Sequence, residues 1–120
     1  MVDPFWIPDR QDMIWIDFDG GASHREMSGR HPMMVFSSRE FTRKTGLVFG
    51  IPMTSATYNQ SDEYAVSFEE LGETKFALAW MPKSFVLRAR NATPHPWGKA
   101  PAAPFAKVQS ILERVLRSGA

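Results

Sequence analysis

The apolar residues of this chain occur in short runs that glycine, proline or polar residues interrupt. Runs of about four to eight apolar residues between such turn signals are typical of β-strands, whereas a helix needs a longer stretch with a period of about 3.6 residues. Six segments follow the strand pattern: residues 13–18, 32–36, 46–54, 64–68, 76–81 and 85–90. The sequence therefore predicts a mainly β protein of six short strands.

The last part of the chain has a different period. Apolar side chains recur there at spacings of three and four residues, as on one face of an amphipathic helix. They are Phe105, Val108, Ile111, Leu112, Val115 and Leu116. We therefore expect a helix over residues 104–118 that covers an open side of the sheet.

Polar residues and prolines predict that two further segments connect the strands and the helix. Residues 37–45 are polar and fit a turn or a single helical turn, with Ser37 or Ser38 as the capping residue. Residues 91–103 are rich in proline and are predicted to form a loop. Six short strands and one C-terminal helix favour an SH3-like small barrel, either open or built as two packed curved sheets. Because 120 residues is close to the usual size of one domain, we assign residues 1–120 to a single domain.

The chain contains no cysteine, which excludes disulfide bonds, thiol nucleophiles and thiolate zinc sites and fits a reducing compartment. The first residues carry acids and prolines where a signal peptide needs a basic start and an apolar run. No stretch reaches the roughly 18 apolar residues of a membrane span. We therefore expect a cytoplasmic protein with no membrane partner.

Charge is distributed unevenly along the chain, although the formal net charge is only +1. Residues 76–120 contain seven lysine or arginine residues and one acidic residue. These basic residues can form a surface strip that faces phosphate groups. Alternatively, folding places them among acidic residues on an ordinary solvated surface. The sequence supports both interpretations about equally.

Metal-binding and nucleotide-binding motifs are not found. The three histidines, His24, His31 and His95, stand outside any pattern such as H-E-x-x-H, and no acidic cluster accompanies them. Gly20 and Gly21 lead into a polar loop instead of the glycine-rich loop that holds nucleotide phosphates. We therefore expect neither a metal ion nor another cofactor.

Reactive polar side chains are concentrated between residues 24 and 55. They are His24, Arg25 and Glu26 in a predicted loop of residues 20–29, Arg30 and His31 just before the second strand, and Thr54 and Ser55 at the end of the third. A short turn joins these two strands, so they should pair as a hairpin. The start of one strand would then lie beside the end of the other, which brings Arg30 and His31 close to Thr54.

These side chains suit the cleavage of RNA by its own 2′-hydroxyl group. The reaction needs a base for the 2′ proton, an acid for the departing 5′ oxygen, and a cation or N–H donors for the charge on phosphorus. Glu26 can act as the base, His31 as either partner, and Arg30 as the cation. Thr54 can donate a hydrogen bond to a phosphate oxygen. The alternative is structural: Arg30 and Glu26 form a surface ion pair, and Thr54 caps a turn.

Four segments of the chain carry a resemblance to a known family. They are PDRQDMIWIDFD at residues 8–19, SHREMSGRHPMMVFSS at 23–38, KTGLVFGIPMTS at 44–55 and, more weakly, KFALAWMPKSFVLRARNAT at 75–93. In order and spacing they resemble the MazF/PemK family of toxin endoribonucleases, the mRNA interferases of type II toxin-antitoxin systems. Glu26 matches the loop acid of that family, and Thr54 matches its catalytic threonine in the Pro-x-Thr element.

The resemblance implies a CcdB/PemK-like fold, as in plasmid maintenance toxins. It implies a homodimer that binds single-stranded RNA across its interface and cleaves it with sequence preference and without metal. It further implies a cognate antitoxin that covers the same site, DNA binding by the toxin-antitoxin complex, and a role in growth regulation.

The chain departs from the family pattern beside Pro32. Members typically carry arginine directly before that proline, whereas this chain has His31 there and Arg30 one place earlier. Because side chains alternate along an extended chain, the shift could turn Arg30 away from the site and place His31 in it. The choice between the two as the working catalytic group stays open. Trp80 and Met81 also stand where many relatives carry aspartate and glutamine.

Single-stranded RNA recognition usually combines phosphate contacts with aromatic stacking. The candidates for RNA binding are Trp15, Tyr58 and Trp80 by stacking, and His24, Arg25 and Ser55 by polar contact. Aromatic side chains more often belong to the core, so stacking is the less favoured interpretation for each. Two alternatives to an endoribonuclease are a CcdB-like toxin that binds gyrase, and a degenerate family member that binds RNA or antitoxin without turnover.

Overall fold

The computed structural model describes residues 5–18, 29–56, 60–70 and 72–117. Within these ranges the chain forms seven strands and two α-helices. They are β1 (Asp12–Phe18), β2 (Gly29–Val35), α1 (Arg39–Thr45), β3 (Leu47–Thr54), β4 (Ala65–Glu70), β5 (Glu73–Leu78), β6 (Lys83–Val86), β7 (Thr93–Lys99) and α2 (Ala102–Leu116). A 3₁₀ turn, Leu87–Ala89, follows β6.

The strands form one antiparallel sheet in the order β4-β5-β3-β2-β1-β7, with β6 paired to β3. Strand β3 changes partners along its length. Its first half pairs with β6, and its residues 50–52 pair with β2 on the other side. Its last residues, Met53 and Thr54, pair with Ala77 and Phe76 of β5. The sheet curves at this change into a half-barrel with α2 packed against it, which confirms the predicted mainly β fold with a C-terminal helix.

The predicted elements differ from the observed ones mainly at their ends. Strand β2 begins at Gly29, so Arg30 and His31 lie inside the strand and not before it. The fifth predicted strand ends at Leu78, and residues 87–89 of the sixth form the 3₁₀ turn. Helix α1 is capped by Ser38, whose hydroxyl accepts the Phe41 N–H at 3.1 Å, as one of the two predicted caps.

The prediction of a loop over residues 91–103 was wrong, because β7 occupies most of this segment. Pro94 and Pro96 lack N–H groups and made a strand there look unfavourable. Since β7 is the last strand in the order and pairs with β1 alone among the described strands, it tolerates them. A register shift between Asp12 and Ile14 accompanies this pairing.

Both faces of the sheet are buried, each by its own apolar cluster. Alternate residues of β1 show this: Met13 belongs to the cluster beneath α2, whereas Ile14 and Ile16 belong to the cluster on the opposite face. Helix α2 contributes four of its six predicted apolar residues to the first cluster: Phe105, Val108, Ile111 and Leu112. The other two, Val115 and Leu116, are 38% and 82% exposed.

Neither α-helix in these ranges is long and apolar enough to cross a membrane.

Gly50 lies where β3 pairs with β2 on one side and with β6 on the other. A Cβ atom at this position would lie 2.4 Å from the carbonyl oxygen of Met34 and 2.8 Å from Met33 Cγ. We therefore expect Gly50→Ala to lower the free energy of unfolding by roughly 1–3 kcal/mol, measured by urea denaturation. The control is Ser84→Ala at an exposed position of β6, which should stay within about 0.5 kcal/mol. Equal unfolding midpoints for the two variants would contradict this expectation.

Candidate active site

The pairing of β1 with β2 places Arg30 and His31 on opposite faces of the sheet. Arg30 lies opposite Asp17, and His31 lies opposite Ile16. Ile16 belongs to the apolar cluster on the face away from α2. Since successive side chains of a strand point to opposite faces, His31 shares that face and Arg30 does not.

The guanidinium group of Arg30 is bound by three acceptors. Its Nη1 donates to Asp17 Oδ1 at 3.2 Å and to the carbonyl oxygen of Asn91 at 2.7 Å, and its Nη2 donates to Thr93 Oγ1 at 2.6 Å. The second carboxylate oxygen of Asp17 accepts Asn91 Nδ2 at 2.8 Å. Arg30 therefore connects the end of β1 and the start of β2 to the turn before β7.

The pKa of Asp17 lies below its usual value of 3.8, chiefly because the Asn91 side chain donates a hydrogen bond to the carboxylate. The hydrogen bond and positive charge of Arg30 act in the same direction. Asp17 is consequently ionised at neutral pH, and the Arg30 pair is formed between two full charges.

His31 is half-buried and packs edge-on against Phe18, with the ring centroids 5.9 Å apart. Phe18 in turn packs edge-on against Phe85 of β6 at 5.0 Å. These rings belong to the cluster that covers the face away from α2, so they fix one side of the imidazole.

Thr54 ends β3 and is half-buried. Its Oγ1 accepts the N–H of Ala56 at 3.2 Å, and a hydroxyl oxygen that accepts this bond still carries a proton to donate. The last paired residues of β2 and β3 on this side are Met33 and Pro52. Side chains alternate along each strand, so His31 points to the same face as Met33, and Thr54 to the same face as Pro52. The two therefore share a face of the sheet, and their lying side by side stays a prediction.

Several predicted site residues lie outside the described residues. They are His24, Arg25, Glu26 and Tyr58. Their roles as loop acid, polar contacts and stacking residue stay predictions. Ser55 follows β3 directly and is exposed.

The two described tryptophans named as stacking candidates have different surroundings. Trp15 stacks on His95 with ring centroids 4.8 Å apart, so one face of its indole is already covered. Trp80 is 42% exposed and lines a surface cavity of about 480 Å³ together with Tyr64, Arg114 and Val115. Of the two, Trp80 has the more accessible ring.

Three residues that contact Arg30 were not among the sequence candidates: Asp17, Asn91 and Thr93. The segment that contains Asn91 and Thr93 contributed to the family resemblance, but the sequence did not predict that this segment contacts β2. Such a contact could have been found only by predicting β7 beside β1.

His95 is 6% exposed and forms an aromatic cluster with Trp15 and Trp97. Its Nδ1 accepts the N–H of Trp97 at 3.1 Å. Burial lowers the pKa of His95 below its usual value of 6.5; the charge of Lys75 adds to this effect and that of Glu73 opposes it. The neutral imidazole is therefore the form that the fold stabilises.

We expect the protein to lose stability as the pH falls below about 6.5, because unfolded His95 binds a proton more readily than folded His95. Unfolding then takes up a proton and becomes more favourable. Urea midpoints at about pH 8 and about pH 5.5 measure the loss, and carboxylates stay largely ionised over this range. His95→Gln should show a smaller fall between these pH values. An equal fall in both proteins would assign the pH dependence to other groups.

Among the described residues, no three histidine or acidic side chains lie close enough together to hold a metal ion.

Known proteins resemble this chain in both sequence and fold. Residues 9–116 match the profile of a family described as PemK-like, MazF-like toxin of type II toxin-antitoxin system. The endoribonuclease toxin MazF of Escherichia coli K12 is 35% identical over 88 residues, which cover 73% of this chain and 77% of that protein.

Solved structures of MazF proteins have the same fold as this chain. The crystal structure of MazF from Deinococcus radiodurans superposes with a TM-score of 0.81 and 30% identity, over 92% of this chain and 97% of that one. A MazE-MazF structure from the same organism superposes with a TM-score of 0.74 and 28% identity, over 92% of this chain and 96% of that one.

Proposed function

Because the chain belongs to the PemK-like, MazF-like toxins of type II toxin-antitoxin systems, we propose that it is an endoribonuclease that cleaves single-stranded RNA. Its E. coli relative carries the name endoribonuclease toxin. The observation that supports the proposal is that His31, which stands where the family pattern has an arginine, points to the same face of the sheet as Thr54.

The reaction requires no group outside the chain and the RNA. The 2′ oxygen attacks the adjacent phosphorus, the bond from phosphorus to the 5′ oxygen breaks, and the products are a 2′,3′-cyclic phosphate and a free 5′-hydroxyl. One proton leaves the 2′-hydroxyl and one is added to the 5′ oxygen, so a base and an acid suffice. We propose that a metal ion is not needed.

His31 and Thr54 take separate roles in this reaction. An imidazole can accept a proton or donate one near neutral pH, so His31 serves as one of the two proton-transfer groups. Glu26, in the segment predicted from the sequence to be a loop, serves as the other. The Thr54 hydroxyl donates a hydrogen bond to a phosphate oxygen on which negative charge develops.

We further propose a homodimer, a cognate antitoxin that binds the same face, and a cytoplasmic location. The MazE-MazF structures of Deinococcus radiodurans support the proposal of an antitoxin partner. In one crystal form the matched chain has the same fold as this protein and is 28% identical in sequence. RNA binding draws on Tyr58, Ser55, His24 and Arg25 in the same proposal. It draws less on Trp15, whose ring is stacked, and on Trp80, which lines a cavity with Arg114 and Val115 of α2.

The test is incubation of the purified protein with a long single-stranded RNA in excess EDTA, followed by mapping of the new ends. We expect cuts at a short preferred sequence, with cyclic phosphate and 5′-hydroxyl ends. A preparation from cells that do not express the protein, purified in the same way, controls for contaminating ribonucleases.

Two results would overturn parts of the proposal. Cleavage that appears only after Mg²⁺ is added would remove its metal-free part. RNA that stays intact at every pH from about 6 to about 9, with or without Mg²⁺, would favour the gyrase-binding toxin or the degenerate member. Gyrase inhibition and RNA binding would then separate these two alternatives.

A further inference from the structure

We infer that Arg30 is a positioning residue: it fixes the turn before β7 against the ends of β1 and β2, and thereby holds His31 on the face of Thr54. The inference rests on the proposed function. It assigns to Arg30 a role different from that of a cation that binds the scissile phosphate.

The contacts of Arg30 fit an anchor better than a phosphate ligand. Its guanidinium group donates to a carboxylate, a backbone carbonyl and a hydroxyl, all within 3.2 Å. To reach a phosphate beside Thr54, it would have to give up these three acceptors and cross to the opposite face of the sheet. The negative charge of Asp17 also offsets the charge that Arg30 could offer to RNA.

The turn that Arg30 holds needs an anchor. Asn91 has a φ of 52°, a left-handed conformation that asparagine tolerates better than most residues but that still costs energy. The turn is held by Arg30, by the Asp17 carboxylate, and by the Asp17 N–H, which donates to the carbonyl oxygen of Arg90 at 2.9 Å. It leads into β7, whose first residue, Thr93, pairs with Trp15.

His31 lies at the end of the ladder between β2 and β3, next to the residue that carries the anchor. The ladder to β1 continues to Gly29, whereas the last residue pair with β3 is Met33 and Pro52. Because Pro52 has no N–H, this pair is closed by the bond from the Met53 N–H to the Pro32 carbonyl, so the ladder to β3 reaches Pro32. The Arg30 side chain supplies a lateral restraint at the residue next to His31.

The experiment compares cleavage of a short single-stranded RNA by Arg30→Gln, Thr93→Val and Thr93→Ser. We expect Arg30→Gln and Thr93→Val each to lower kcat about 10- to 100-fold with KM changed by less than about 3-fold, because a misplaced catalytic group costs rate more than binding. Thr93→Ser keeps the hydroxyl and should retain most of the activity. Arg88→Gln, at an exposed arginine on the neighbouring 3₁₀ turn, is the matched charge control and should leave kcat unchanged.

Salt dependence separates a positioning role from phosphate binding. If Arg30 binds a phosphate, Arg30→Gln should reduce the slope of log(1/KM) against log salt concentration by about 0.7. If it acts as an anchor, the slope should match that of the unmodified protein. Melting temperatures above the assay temperature ensure that each variant is compared in its folded state.

Three outcomes would overturn the inference. These are full activity in Arg30→Gln, a reduced salt slope together with a raised KM, or full activity in Thr93→Val while Arg30→Gln is inactive. None of them bears on the proposed function, which fails separately if the unmodified protein leaves single-stranded RNA intact.

Discussion

Replacement of His31 by alanine should lower kcat for RNA cleavage about 10²- to 10⁴-fold, the usual contribution of one general acid or base. The imidazole is half-buried against Phe18 and shares its face of the sheet with Thr54. An imidazole can act as an acid or a base in the cleavage reaction. Single-turnover rates on a short RNA, measured with enzyme in excess, report the chemical step directly.

A second substitution at the same position tests how His31 acts. In His31→Arg the guanidinium group can stabilise negative charge but cannot exchange a proton near neutral pH. We therefore expect partial activity, with a single-turnover rate between those of His31→Ala and the unmodified protein. Ser110→Ala, at an exposed position of α2, controls for nonspecific effects of substitution. Normal single-turnover rates in His31→Ala would place the chemistry away from this face.

Much of the scaffold could be predicted from the sequence because its signals are local. Strand β1 was predicted to within one residue, since its apolar run is bounded by polar residues and followed by glycines. The apolar spacing of α2 predicted a face of six side chains, of which four are buried. Val115 and Leu116 follow the same period but are exposed, and only the tertiary structure shows where the covered part of the face ends.

The candidate site could be predicted in part. The sequence predicted that β2 and β3 pair, which the structure confirms, and the proximity of His31 to Thr54 that follows from this pairing stays a prediction. The opposite orientation of Arg30 was one of two open alternatives. It depends on the start of β2 at Gly29 and on the presence of β7. The prolines of β7 made this segment look like a loop, and its Thr93 supplies an acceptor for the guanidinium group. Contacts between residues some sixty positions apart leave no local pattern in the sequence.

Replacement of Phe105 by alanine should lower the free energy of unfolding by roughly 3–5 kcal/mol, a large part of the 5–15 kcal/mol that stabilises a typical domain. Phe105 is 7% exposed and stacks on Phe36 with ring centroids 4.3 Å apart. Arg10 covers both rings, and its guanidinium group is held by the carbonyl oxygen of Phe36 at 3.0 Å and by Gln109 Oε1 at 2.6 Å. The surrounding groups are therefore fixed and cannot easily fill the cavity.

Urea denaturation at constant protein concentration measures this loss, with Leu116→Ala as the control on the same helix. Leu116 is 82% exposed, so its truncation should change the free energy of unfolding by less than about 0.5 kcal/mol. Phe105 belongs to the cluster beneath α2, whereas His31 lies on the opposite face of the sheet. Below its melting temperature, Phe105→Ala should therefore cleave RNA at close to the normal kcat. A folded Phe105→Ala protein with strongly reduced kcat would show instead that packing beneath α2 controls the geometry of His31 and Thr54 through the sheet.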